Sequence, residues 1–155
     1  MGASAVTGRP FLLFWLTAAA GFVLDQLAKA AAVRFLPAHQ SRALLGDWVR
    51  LTLTHNPGSA FGLISSGGAL IAVGAAVCLA VLAYAFLGQG LRRDRGQAIA
   101  LGLVFGGSAG NLTDRVATGG VVDFIDLRVW PVFNLADIAI TAGFVLLALR
   151  LVKRR

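Results

Sequence analysis

Asp123 and Asp137 are the residues whose type and placement could do chemistry, with 13 residues between them near the C-terminal end of the chain. Asp123 follows Val121-Val122 at the end of a long apolar region. Asp137 lies in Phe133-Asn134-Leu135-Ala136-Asp137, where the last apolar region begins. Both carboxylates thus fall at the mouths of membrane-type segments, where an ionisable group is expensive and marks a functional site by default. Two carboxylates brought together cannot both ionise easily, so the pair shares a proton. The ionised member takes a proton from a water held between them. The protonated member polarises a carbonyl or protonates a leaving amine. That is the acid–base equipment of an aspartic peptidase. Asp137 would lie in the first turn of a helix, where the dipole favours the anion. Taken singly, each aspartate could instead cap a helix or pair with an arginine. Asn134 with Asp137 three residues on has the form of a capping box.

The elements that must position this pair are membrane spans. The 155 residues are 57% hydrophobic and 14% charged, whereas a soluble domain carries about a quarter charged residues. Apolar runs long enough to cross a bilayer are expected at about 11–35, 68–87, 97–116 and 134–152, in one domain 1–155 without repeat or linker. The expected fold class is an all-α membrane protein with four transmembrane helices. The single cysteine, Cys78, sits inside an apolar run. It is expected to fill packing space, and one cysteine makes no disulfide or zinc site from this chain alone.

Four spans put both termini on one side. That side holds Arg9, Arg92, Arg93, Arg95, Arg150, Lys153, Arg154 and Arg155 against Asp94 alone. Basic residues in short loops and flanks mark the cytoplasmic face. The whole net charge of +7 is then accounted for by topology, and no basic surface is left for nucleic acid. The aspartate pair faces outward.

Other polar residues cluster near the same end. Asp25 and Lys29 are four apart in the first span and can pair on one helix face. They are either a neutralised pair or a contact to the catalytic region. Val49, Leu51 and Leu53 alternate with Arg50, Thr52 and Thr54, which predicts a strand with one apolar face. Asn56-Pro57-Gly58 reads as a tight turn. Gly102, Gly106 and Gly110 make a smooth stripe for close helix contact. Asn111, Asp114 and Arg115 crowd the end of that helix, with Arg115 expected to compensate Asp114. Asp126 reads as a solvated loop acid, and His55 as a loop histidine without metal partners. Gly106-Gly107-Ser108-Ala109-Gly110 matches G-x-S-x-G on paper. A nucleophile elbow needs a strand-to-helix turn, however, and this stretch is expected inside a helix.

Five blocks in order resemble the bacterial lipoprotein signal peptidases (signal peptidase II). They are Asp25-Gln26-Leu27-Ala28-Lys29, the loop from Asn56 to Gly62, Gly106 to Arg115, Val122-Asp123-Phe124-Ile125, and Phe133 to Asp137. The resemblance implies an aspartic endopeptidase without metal or cofactor. Such an enzyme removes the signal peptide of a diacylglyceryl-modified prolipoprotein just before the lipid-bearing cysteine. It implies Asp123 and Asp137 as the catalytic dyad. Asn56, Gly110, Asn111, Asp114, Arg115, Asn134 and Ala136 would shape the site, with Asp25 and Lys29 in support. It also implies a small extracytoplasmic β-cradle beside the helices, a bacterial inner-membrane location, and a monomer whose partners are prolipoproteins and membrane lipids. Ser108, Ala109 and Thr113 stand where more apolar residues are expected in the family.

Three rivals remain at this level. Intramembrane aspartates also mark transporters and proton relays, although four spans without an inverted repeat argue against one. A serine peptidase built on Ser108 is the second. A non-catalytic membrane assembly factor is the third.

Overall fold

The computed structural model describes residues 8–37, 40–46, 48–57, 80 and 94–153. The expected span 68–87 apart from residue 80, Cys78, His39 and the turn beyond Pro57 lie outside the described residues. Helix α1, Arg9–Phe35, has Pro10 in its first turn and ends where Leu36 turns extended ahead of Pro37. Proline suits the first helical turn, which has no partner for its N–H, and biases the residue before it away from helix. Strands β1, Ser41–Leu45, and β2, Val49–Asn56, follow. Helix α2 is Arg95–Thr118, strand β3 is Val121–Asp126, and helix α3 is Leu135–Lys153.

The helices pack through glycine. A side chain at Gly102 would strike Thr17 and the Phe14 carbonyl, one at Gly106 the Ala18 carbonyl, and one at Gly110 the Asp25 carboxylate. Positions rise together on both helices, so α1 and α2 run parallel, backbone against backbone. On another face, Gly107 meets the Ala136 carbonyl and Gly143 of α3 meets the Ala100 carbonyl. Here the positions run in opposite senses, so α3 is antiparallel to α2. The expected stripe is therefore present, and α2 uses two glycine faces rather than one. At the helix end away from the sheet, Phe14, Ala98 and Leu101 form a buried cluster, with Leu13, Phe105 and Leu147 packed on it.

Helix ends are satisfied by side chains. Asp94 accepts from the amides of Gly96 at 2.8 Å and Gln97 at 3.3 Å, and its Oδ1 also meets Arg150 Nη1 at 2.5 Å. One carboxylate thus caps α2 and ties it to α3. Gly119 ends α2 with φ of 77°, a conformation that glycine adopts without penalty, and its N–H reaches the Arg115 carbonyl.

The three strands form one antiparallel sheet in the order β1-β2-β3. The alternation at 49–54 is a strand as expected, and His55 extends it, so His55 is a strand residue rather than a loop one. Asp123 also departs from expectation. It lies on β3, a strand between α2 and α3, and not at the end of a span. The apolar residues around it belong to a half-buried sheet, whose short runs look like a helix end in the sequence. By length and composition, α1 alone among the described helices is apolar enough to cross a membrane. Helix α2 runs unbroken but carries Asn111, Asp114 and Arg115 in its last turns.

Candidate active site

Beta strand β3 presents Asp123 and the N-terminus of α3 presents Asp137. A short backbone bridge joins the two elements. Phe133 donates to the Ile125 carbonyl at 3.0 Å, and its own carbonyl accepts from Phe124 and Ile125 at 3.0 and 2.8 Å. The chain between the aspartates is thereby folded back on itself, which answers how they converge. The capping box at α3 is formed in both directions. The Asp137 amide donates to Asn134 Oδ1 at 3.0 Å, and the Asn134 amide donates to Asp137 Oδ2 at 3.2 Å. Asp137 is thus both a cap and a member of the pair, so the two readings of it are compatible.

Asn134 links the carboxylates. Its Nδ2 donates to Asp123 Oδ1 at 2.6 Å, and it also reaches the Val122 carbonyl at 3.3 Å and Asn111 Oδ1 at 3.1 Å. Asn111 donates from Nδ2 to Asp137 Oδ1 at 2.9 Å and accepts on Oδ1 from Lys29 at 2.9 Å. Asn111 is therefore oriented from both sides, because Lys29 only donates and a carboxylate only accepts. Asn56, diagonal to Asp123 across the β2–β3 ladder, donates to Asp123 Oδ2 at 3.3 Å.

Behind this layer lies a buried ionic cluster. Lys29 Nζ contacts Asp25 Oδ2 at 2.8 Å and Asp114 Oδ2 at 2.7 Å. Asp25 uses Oδ1 to accept from the Ala136 amide at 2.9 Å, next to Asp137. Asp114 also accepts from the Val122 amide at 3.2 Å, next to Asp123. Each supporting acid therefore holds the backbone beside one member of the pair. The Asp25–Lys29 pair is a contact to the candidate site as well as a neutralised pair. Asp114 takes its compensating charge from Lys29, not from its neighbour Arg115. Residues adjacent on a helix point about 100° apart, and the Arg115 guanidinium instead donates to the Asn111 carbonyl at 3.1 Å. Gln26 was not singled out by the sequence as a site residue. Its amide donates to Asp25 Oδ2, Asp114 Oδ1 and the Gly110 carbonyl at 3.2, 3.0 and 3.4 Å. The signal was an amide in an apolar helix beside a buried acid.

Burial pushes the Asp123 carboxyl up to about 6 from its ordinary 3.8. The Asn56 hydrogen bond opposes this, the negative charge of Asp137 adds to it, and Asn134 and Lys29 oppose it. Asp126 remains partly exposed but is a strand residue rather than a loop one. It ends β3, accepts from the Arg128 amide and the Thr52 hydroxyl at 2.8 Å each, and is held below the usual carboxylate range chiefly by that amide bond. Ser108 is in the interior of α2, in no strand-to-helix turn. Among the described residues, no group of three or more His, Cys, Asp or Glu gathers as a metal site would require.

An open hollow of about 370 Å³ lies against Asp137, lined by Leu127, Trp130, Phe133, Ile138 and Thr141. It is apolar apart from Asp137 and Thr141. Trp130, Val129 and, across the sheet, Trp48 are strongly exposed.

Gly110 fixes how closely α2 and α1 meet at this point. A Cβ there would stand 2.5 Å from Asp25 Oδ2, and Asp25 is fully buried and held by Lys29 and the Ala136 amide. It has nowhere to move. Gly110→Ala is expected to destabilise by about 1–3 kcal/mol, as overpacking does, and to slow catalysis by shifting Ala136. Thermal unfolding in detergent checks the first effect and a rate assay the second. An unchanged melting temperature would show that Asp25 is not held as described.

The family model for signal peptidase (SPase) II matches residues 17–153. The chain belongs to the signal peptidase II family. It is similar to the lipoprotein signal peptidase of Moorella thermoacetica, at 41% identity over 145 residues, covering 92% of each chain. A lipoprotein signal peptidase of Pseudomonas fluorescens is 42% identical over 142 residues, covering 86% of this chain and 83% of the relative. Two solved bacterial membrane enzyme structures, at 2.3 and 1.9 Å resolution, superpose with TM-scores of 0.81 and 0.83, each at 30% identity and covering 89% and 90% of this chain. They cover 86% and 92% of those chains. Family membership makes this chain a signal peptidase II protease, a bacterial membrane enzyme of lipoprotein processing. The resemblance carried by the five blocks is therefore correct at the level of family, enzyme class and membrane setting.

Proposed function

We propose that this chain is a membrane-embedded aspartic endopeptidase with Asp123 and Asp137 as its dyad. It cuts diacylglyceryl-modified prolipoproteins before the lipid-bearing cysteine. The observation that carries the reading is Asn134, which bonds to both carboxylates and holds them around one space. Asp123, raised by burial to about 6, is the member that carries the proton in the active form. Asp137, at the head of α3, is the base. Asp137 takes a proton from the attacking water as its oxygen adds to the scissile carbonyl. Asp123 donates its proton to the carbonyl oxygen. Collapse of the tetrahedral carbon returns a hydroxyl proton to Asp123 and breaks the C–N bond, and the proton on Asp137 passes to the leaving amine. Asn56, Gly110, Asn111, Asp114, Arg115, Asn134 and Ala136 shape this site, and Asp25 and Lys29 support it.

The setting follows from the substrate. The chain is one domain of four spans, with 68–87 completing α1, α2 and α3. Both termini are cytoplasmic, the sheet is an extracytoplasmic cradle, and the monomer is the working unit. A lipidated cysteine is anchored in the outer leaflet, and carboxylates at that depth meet the bond without extracting the lipid. The apolar hollow beside Asp137 supports the reading, because it offers hydrocarbon contact next to the acid. No metal or cofactor takes part.

The test is cleavage of a purified diacylglyceryl-modified prolipoprotein, followed by mass. Wild type and Ser108→Ala are expected to cut before the modified cysteine. Asp123→Asn and Asp137→Asn are expected not to. Cleavage surviving either aspartate change would sink the dyad, and loss on Ser108→Ala alone would favour a serine mechanism.

A further inference from the structure

We propose that the ends of α1 and α2 remote from the sheet form a binding site for an anionic phospholipid, with its phosphate between Arg9 and Arg95 and an acyl chain along Leu12 and Leu13. The two helices are parallel, so their first residues share one end of the molecule. Arg9 begins α1 and Arg95 begins α2. Together with Leu12 and Leu13 they line one hollow of about 330 Å³, open to the surface.

Neither guanidinium has an ion-pair partner among the described residues, whose ion pairs are Lys29 with Asp25 and Asp114, and Arg150 with Asp94. Asp94 is the acid next to Arg95 in sequence. It is committed to the amides of Gly96 and Gln97 and to Arg150. Two uncompensated cations therefore converge over an apolar floor. The surface beside them is apolar too, since Phe11, Leu12 and Leu16 are exposed.

A phosphate diester satisfies this arrangement. Its oxygens accept forked, charge-assisted bonds from guanidinium groups. Its acyl chain covers leucines that a free phosphate would leave bare. An acidic peptide would match the charge but not a floor that lies in the bilayer. Basic pockets between helices on the cytoplasmic side are where anionic headgroups are found. This inference rests on the membrane-embedded reading with the termini inside.

The test is native mass spectrometry of the intact protein with added phosphatidylglycerol, phosphatidylcholine or inorganic phosphate alone. Phosphatidylglycerol is expected to be retained in preference to phosphatidylcholine, and phosphate alone not to be retained. Affinity is expected to fall about fivefold for Arg9→Gln, about fivefold for Arg95→Gln and further for both, with lysine at either position restoring only the part due to charge. Cleavage in detergent is expected to be unchanged in these variants. Equal retention of the two lipids, or a double variant that retains phosphatidylglycerol normally, would overturn the site. Retention of phosphate alone at the same concentration would overturn the lipid as its occupant. Binding is read without any cleavage step. Selective lipid binding by a chain that cuts nothing would thus remove the proposed activity and leave this site standing.

Discussion

Asp123→Asn is expected to abolish cleavage and to leave the protein more stable at pH 7.5 than the wild type. The activity loss follows from the proposed role of Asp123 as proton donor to the carbonyl oxygen. An amide of the same shape still accepts from Asn134 but has no proton of suitable acidity to give. A loss of at least about 10³-fold is expected, in the range of removing a general acid together with its charge control. The stability gain follows from linkage. The Asp123 carboxyl is raised to about 6 in the folded chain from 3.8. The stability contributed by its protonated form is fully present below about 3.8 and lost as pH rises through about 6. At pH 7.5 the fold therefore bears an ionised, buried carboxylate at a cost of up to about 3 kcal/mol. Asparagine removes that cost. It also turns an amide nitrogen toward Asn56 Nδ2, which now donates to Asp123 Oδ2, and the two donors oppose each other. A net gain of about 1 kcal/mol is the expected balance. Melting temperatures at pH 7.5 and 4.5 decide it, because the gain must shrink at the lower pH. A gain that is the same at both would mean that ionisation of Asp123 is not its source. The same assignment predicts that wild-type kcat/KM falls as pH rises through about 6, where Asp123 gives up its proton.

Lys29→Met is expected to cost about 3–5 kcal/mol and to remove activity with it. Lys29, Asp25 and Asp114 are 3%, 0% and 8% exposed. The ammonium donates to both acids and to Asn111 Oδ1, so each of its protons has a partner. Methionine fills much of the same space and supplies none of these bonds. Two buried carboxylates are left without a cation, and Asn111 loses the donor that orients it toward Asp137. Asp25→Asn in the Lys29→Met background is expected to recover part of the stability by removing one of the unpaired charges. A double-mutant cycle measures that coupling. Thermal unfolding of Lys29→Met within about 0.5 kcal/mol of wild type would mean that water compensates the cluster and that the buried pair is not as drawn.

Much of this was legible before any coordinates, and the reasons are physical. The i, i+4 spacing of Asp25 and Lys29 fixes a shared helix face whatever the fold around it. The glycine stripe and the Asn134–Asp137 spacing are likewise local rules, and both took the form expected. The strand nature of Asp123 was hidden because a short half-buried strand and a helix end carry the same apolar signal. The Arg115 assignment failed for a different reason. Sequence adjacency stood in for contact, while the nearest cation to Asp114 in space comes from α1. Asp126 differs because one of its partners, Thr52, is reached only through the β2–β3 pairing, although its bond from the Arg128 amide is local. The role of Gln26 needs the fold, because two of its three partners, Gly110 and Asp114, lie on another helix. Local geometry can be read along the chain, whereas pairings across elements need the fold.

The Asp25 contact to the Ala136 amide spans 111 positions. Its consequence concerns time rather than energy. Ribosomes deliver α1 first and α3 last, and the amide that Asp25 waits for is one residue from Asp137. Until the final helix has emerged and threaded into place, the carboxylate pair does not exist. With Asp123 and Asp137 as the proposed dyad, a nascent chain is inert toward every peptide bond around it, its own included, until α3 has docked.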